Sequence, residues 1–281
     1  MRIGGLQSGI QLSLGVSPVL IADESAVTRR SIISIIKDGN ADIRVIEAET
    51  GSEALQAIHQ HKPKVGFLSV QLPDLSGSEV IAQAALEGRS FLAVLTSSLP
   101  ISRWVELSLR ANAYEFLRKP FRRANVLELL RACDRMSVPL EVLLVDDSTT
   151  ARAIVQRVLH NSRFLMNIDE TDSGLHALKL IELKAFNLAL IDYSMVEMNG
   201  LETACHAKTI CPDLKVILMS GHDFKGKERG LNTFNVVDFL HKPFYAHDVD
   251  RMLHKILNLY RPYLLNAMLR PIEPILHESL S

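Results

Sequence analysis

The chain has 281 residues, 47% of them hydrophobic and 22% charged, with a formal net charge of −1. Those proportions are those of a soluble globular protein, and the near-neutral balance excludes a general electrostatic pull toward nucleic acid or an anionic membrane. The cysteines (Cys133, Cys205, Cys211) follow no framework spacing and point to reduced, cytoplasmic thiols. No run approaches the ~18 apolar residues a membrane span needs.

Residues 1–17 carry a single Arg2 among scattered Gly, Gln and Ser and lack the continuous apolar segment of a signal peptide. They read as a disordered arm, or as a start codon assigned too early. From residue 18 on, short apolar runs alternate with amphipathic stretches, the pattern of a parallel sheet covered by helices on both faces. The first set of runs is Val19–Ala22, Ile43–Ile46, Val65–Leu68, Phe91–Leu95 and Tyr114–Leu117. Between them, Ile32, Ile33 and Ile36 mark one helix stripe and Ala54, Leu55 and Ile58 the next.

After a short join around Ser137–Pro139 the pattern restarts with Val142–Val145, Leu165–Ile168, Leu188–Ile191, Val216–Met219 and Val236–Leu240. Helix stripes again fall between, at Ile154, Val155, Val158 and Leu159 and at Ala177, Leu178 and Ile181. Strands so nearly continuous in apolar character suit a sheet buried on both faces. The expected fold class is α/β, two tandem doubly wound five-stranded parallel sheets. The expected domains are 18–137 and 138–260. The tail 261–281 carries an apolar stripe at Leu264, Leu265, Met268 and Leu269, a candidate homodimer or partner segment.

The two halves say the same thing. Asp23, Lys119, Gly77, Asn112 and Phe116 recur 123 residues later as Asp146, Lys242, Gly200, Asn235 and Phe239. One member of the series changes: Ser69 stands where the second copy has Asp192. Each Asn lies just before a fifth strand, where a helix must stop and reverse, and Asn tolerates the left-handed backbone needed there.

Ligands of a doubly wound sheet sit beyond the carboxyl ends of its strands. Asp146 and Asp147 follow one strand of the second copy and Asp192 another, so three carboxylates are expected to gather at that edge. Like charges that close need a cation, and an all-oxygen set with room for water suits Mg2+. Ser220 and Lys242 end two further strands; a hydroxyl and an ammonium facing a metal-bound carboxylate make a cradle for a phosphoryl group.

These motifs, with the segment Asp192–Gly200, Ser220–Gly221 and Phe239–Phe244, resemble the response-regulator receiver domains of two-component signalling over residues 18–260. The resemblance implies that Asp192 takes a phosphoryl group from phosphohistidine. It implies direct Mg2+ ligation by Asp147, Asp192 and the Ser194 carbonyl, with Asp146 acting through water. Lys242 and Ser220 would hold phosphoryl oxygens. Phe239 would report occupancy to the face built from the fourth helix, fifth strand and fifth helix. Val196 departs from the proline common in the family, and Ser194 and His222 occupy variable positions that resemble those tuning acyl-phosphate lifetime in the family.

The first copy keeps Asp23, Glu24, Thr96 and Lys119 but has Ser69 at the acceptor position. A serine hydroxyl cannot become an acyl phosphate and is a poorer metal ligand than a carboxylate. This copy reads as a pseudo-receiver used for binding. Trp104, in the expected fourth helix, reads equally as a contact residue and as a partly buried core side chain, and Arg118, Lys119, Arg122 and Arg123 form a basic cluster that also reads as ordinary solvated surface.

The implied partners are a sensor histidine kinase or histidine phosphotransfer protein, and a downstream effector protein, since no helix-turn-helix, cyclase or other enzymatic module follows residue 260. Neither nucleic acid nor membrane is expected as a partner, and the protein is not expected to be an enzyme. Two other readings stay open: a phosphorylation-independent scaffold, and a phosphatase of the haloacid-dehalogenase kind. The second lacks its usual aspartate two residues beyond the nucleophile, since position 194 is serine.

Overall fold

The computed structural model describes residues 18–98, 108, 111–221 and 236–259. The arm at 1–17, Trp104, His222, Asn235 and the tail at 261–281 lie outside the described residues. The chain divides between Asp134 and Arg135 into two units, and each holds one five-stranded sheet.

In the first unit the order is β1 (Val19–Ala22), α1 (Ala26–Gly39), β2 (Val45–Ala48), α2 (Gly51–His61), β3 (Val65–Ser69), α3 (Gly77–Leu86), β4 (Leu92–Ser97), β5 (Glu115–Arg118) and α4 (Arg123–Met136). All pairings are parallel, in the spatial order β2-β1-β3-β4-β5. The second unit repeats it with β6 (Leu140–Val145), α5 (Thr149–His160), β7 (Met166–Thr171), α6 (Gly174–Leu183), β8 (Leu188–Asp192), α7 (Gly200–Ile210), β9 (Lys215–Ser220), β10 (Val236–His241) and α8 (Ala246–Ile256). Its sheet runs β7-β6-β8-β9-β10, the same topology.

Local chemistry explains where the helices start. Ser25, Thr50, Ser148 and Asn199 each accept a backbone N–H of the first turn, and Ser76 and Glu79 close a reciprocal capping box at α3. Asn112 sits at φ +53°, the left-handed backbone its position required. In the first core Leu20, Leu68 and Leu95 pack against Ala54, Ile58, Val80 and Ala84; in the second Val145, Ile191 and Leu218 pack against Ala177, Ile181 and Ala204.

Three expectations change. The interior strands are buried along nearly all their length, but β2 and β7 are sheet edges with only part of their length buried. β7 reads Met-Asn-Ile-Asp-Glu-Thr, polar at most positions rather than continuously apolar, and at the sheet edge only Thr171 is buried. Ile154, expected on the buried stripe of α5, is 57% exposed, while Val155 and Leu159 carry the packing. Asp192 is the last residue of β8 rather than the first beyond it.

Candidate functional site

The strand order places β6 between β7 and β8, so the chain leaves β6 toward one side of the sheet and returns on the other. Loops part at that point and open a crevice at the carboxyl ends of the strands. Asp146 follows β6 and Asp192 ends β8, neighbours across a register that pairs Val145 with Ile191. Both are buried, with Asp192 8% exposed, whereas Asp147 is exposed.

Lys242, two residues beyond Leu240 of β10, reaches both acids. Its Nζ donates to Asp146 Oδ2 at 2.6 Å and to Asp192 Oδ1 at 2.5 Å. Its backbone N–H donates to the Ser220 carbonyl at 2.7 Å, fixing it beside the end of β9. The other carboxylate oxygens take backbone donors: Ser148 N on Asp146 Oδ1 at 2.9 Å, and Ser194 N on Asp192 Oδ2 at 2.8 Å. Burial alone would lower the Lys242 pKa; hydrogen bonds to Asp146 and Asp192, with their charge, outweigh it and hold the ammonium above its ordinary value. Gly200 lies over this corner, where a Cβ would collide with the Asp192 carbonyl oxygen.

The expected cluster of three carboxylates is a pair plus a neighbour. Asp147 Oδ2 accepts Val196 N at 3.0 Å instead of joining the other two. Among the described residues no three His, Cys, Asp or Glu side chains stand as a metal-holding group. The donor chemistry nevertheless fits a hard divalent cation: three carboxylates against one ammonium leave a net −2 at a solvent-accessible crevice, with oxygen as the only ligand type. Asp146, Asp147, Asp192 and the Ser194 carbonyl are the residues that would hold it.

Phe239 is half-buried and packs against the second core, and Phe116 does the same in the first. The aromatic therefore has a packing role in both copies.

The first unit keeps the frame. Lys119 donates to Asp23 Oδ2 and, at 3.2 Å, to Ser69 Oγ, and Ser25 N donates to Asp23 Oδ1 at 3.0 Å. Glu24 is exposed, as Asp147 is. Lys119–Pro120 and Lys242–Pro243 are both cis. A Cβ at Gly77 would lie 2.5 Å from the Ser69 carbonyl oxygen, the same close approach as at Gly200. One assignment is corrected here. Thr96, expected to match Ser220, pairs with Ser69 inside the sheet, whereas Ser97 ends β4 and accepts Lys119 N at 2.8 Å. Ser97 is therefore the counterpart of Ser220. Of the basic cluster, Arg118, Arg122 and Arg123 are exposed, and Arg123 is paired with Asp38 on α1.

Two features escaped the sequence reading. Arg29 and Arg152, also 123 residues apart, reach back from α1 and α5 to the Asp23 and Asp146 carbonyls at 2.8 and 2.6 Å. In the first unit, and among the described residues only there, Asp74 accepts Gly51 N at 2.6 Å, Ser52 N at 3.0 Å and Leu75 N at 2.8 Å, pinning the loop after β3 to the start of α2. The hydrogen bonds from Ser52, then those from the Leu75 and Gly51 amides, hold that carboxyl far below the usual carboxylate range. The shared offset was the signal for the arginines; Asp74 had none, because position 197 is Glu at φ +70°.

A family model described as the response regulator receiver domain matches residues 19–131 and 142–256. The chemotaxis protein CheY of Listeria monocytogenes is 31% identical over 112 residues, which is 40% of this chain and 93% of that protein. The transcriptional regulatory protein BtsR of Salmonella typhi is 25% identical over 153 residues, 54% of this chain and 62% of BtsR. The chain thus spans under two thirds of that relative's length. A solved structure described as a "probable two-component system response regulator/GGDEF domain protein" superposes with a TM-score of 0.61 at 23% identity, over 86% of this chain and 98% of that one. Among the described residues no helix is long and apolar enough to cross a membrane.

Proposed function

The chain belongs to the response-regulator receiver domain family, and from that premise we propose that its second domain accepts a phosphoryl group at Asp192 while its first domain does not. The observation that carries this reading is the pairing of Lys242 with both Asp192 and Asp146 at the crevice, where the lysine of the first domain meets Asp23 and only the Ser69 hydroxyl.

The donor is a phosphohistidine on a sensor histidine kinase or histidine phosphotransfer protein. A carboxylate oxygen of Asp192 forms a bond to phosphorus, the phosphorus–nitrogen bond breaks, and the departing imidazole nitrogen takes a proton from solvent. Lys242 holds charge on the transferred oxygens, and Ser220 supplies a hydroxyl at the end of β9. Asp146, Asp147, Asp192 and the Ser194 carbonyl would hold Mg2+, which would supply the positive charge that lets a dianionic group approach carboxylates.

The product is a switch state rather than a turned-over substrate: the new charge biases a surface through Phe239, and a downstream effector protein reads it. The protein works in the cytoplasm, without nucleic-acid or membrane partners of its own. The first domain contributes by binding. Labelling with a phosphohistidine donor and Mg2+ tests this. Asp192→Asn is expected to abolish incorporation and Ser69→Ala to leave it at the wild-type level; equal labelling of the two variants overturns the assignment.

A further inference from the structure

We infer that Arg152 is a positioning residue for the acidic pair Asp146–Asp147, setting Mg2+ affinity without touching metal or phosphate. The inference rests on the Mg2+ reading above and deepens it.

The Asp146 carbonyl lies in the same rigid peptide plane as the Asp147 amide nitrogen. Whatever fixes that carbonyl also fixes the direction in which Asp147 leaves the plane. Arg152 Nη1 donates to this oxygen at 2.6 Å, a short charge-assisted bond from the first turn of α5. Asp147 in turn accepts Val196 N from the loop after β8. One guanidinium thereby sets the exposed carboxylate and, through it, the loop that also carries Ser194.

The first domain shows what a fully tied arginine looks like. Arg29 donates to the Asp23 carbonyl at 2.8 Å and the Glu24 carbonyl at 3.4 Å, to Glu47 at 2.8 Å and to Glu49 at 2.6 Å. Hydrogen bonding to Glu47, ahead of the opposing cost of burial, raises its pKa. In the second domain the position of Glu47 is Glu170, whose oxygen stays 3.8 Å from Arg152 Nε. That nitrogen is buried and has no hydrogen-bond partner, a state that costs free energy. So Arg152 spends its strong bond on the backbone of the acidic pair and little on carboxylates. Where the acceptor Asp is gone, the same arginine is locked by acids of its own.

Mg2+ titration of the full-length chain by calorimetry tests this, with thermal unfolding in metal-free buffer run beside it. Arg152→Met is expected to weaken Mg2+ binding by about tenfold, the scale seen when a ligand's orienting partner is removed. Arg29→Met and Glu170→Gln are expected to leave it unchanged, and Arg152→Lys to recover part of the loss, since an ammonium still donates to the carbonyl. A folded Arg152→Met with wild-type affinity overturns the inference, even if its melting temperature falls. Should that variant not fold, Arg152→Leu, which likewise has no donor, replaces it under the same criterion. A loss in Glu170→Gln equal to that in Arg152→Met also overturns it, by placing the effect in the ion pair. Absence of Mg2+ binding by the wild-type chain is a different failure: it removes the Mg2+ reading itself.

Discussion

The crevices of the two domains share a frame and differ in charge. In both, a lysine before a cis proline reaches a buried aspartate, a strand-ending serine holds the lysine backbone, and a glycine covers the acceptor corner. At the first site Asp23 and Glu24 against Lys119 leave a net −1; at the second, Asp192 takes it to −2. The frame outlives the chemistry because backbone hydrogen bonds, the Lys–Asp pair and glycine packing hold it, and none of them needs a carboxylate at position 69. A divalent cation is neutralised only at the second site.

The sharpest way to break this comparison is to restore the missing group. Ser69→Asp is expected to create a second labelled aspartate under the same donor and Mg2+ conditions, mapped by peptide mass, because Asp23, Glu24, Ser97 and Lys119 stand ready around it. If no label appears at position 69, the two sites differ by more than one side chain.

A smaller effect separates the lysines. Lys242→Met strands two carboxylates and Lys119→Met only one. In metal-free buffer the first is expected to cost about 3 kcal/mol by urea unfolding, near the low end for breaking a buried ion pair, and the second clearly less. The sign with pH follows from the raised Lys242 pKa. Its contribution is complete below the ordinary lysine value of 10.5 and is lost as pH rises through the higher folded value. Equal costs for the two variants would contradict the charge account.

The smallest expected effect concerns a buried group that only the second domain has. Asp250 on α8 accepts Ser162 Oγ at 2.6 Å and Arg163 N at 3.0 Å. Burial pushes its pKa up, against the Ser162 and Arg163 hydrogen bonds and the charges of Arg163 and His254. A raised folded pKa means stability present below the ordinary 3.8 and lost as pH rises through the folded value. Asp250→Asn keeps both acceptor contacts and is expected to stabilise the second domain at pH 7 by on the order of 1 kcal/mol. The gain should shrink as pH falls toward 4. A gain independent of pH would assign it to packing instead.

Much of this was legible in the amino-acid sequence. Interior strands announce themselves because burial on both faces demands unbroken apolar runs, and the 123-residue offset aligned Asp146, Lys242 and Gly200 with their counterparts before any coordinates. The edges were less legible: β7 is polar at most positions, so its start and length followed from pairing with β6. Thr96 and Ser97 offer the same hydroxyl, but the 123-residue offset already aligns Ser97 with Ser220 and Thr96 with Met219, and the strand register agrees. Arg29, which is buried, and Arg152, which is partly buried, hid because arginine is ordinarily an exposed residue, although the offset marks them. Asp250 and His254 have no such mark, since Leu127 and Arg131 stand at the matching positions of the first copy.

The central claim is that a single carboxylate in the second domain receives phosphorus while the serine in its place in the first cannot. Incubating the full-length chain with a phosphohistidine donor and Mg2+, then reducing with borohydride, converts an acyl phosphate to homoserine that peptide mass mapping locates. The account predicts homoserine at position 192 and unmodified residues at 23, 69, 146 and 147. Homoserine at any of the other aspartates, phosphate on Ser69, or an unmodified Asp192 would contradict it.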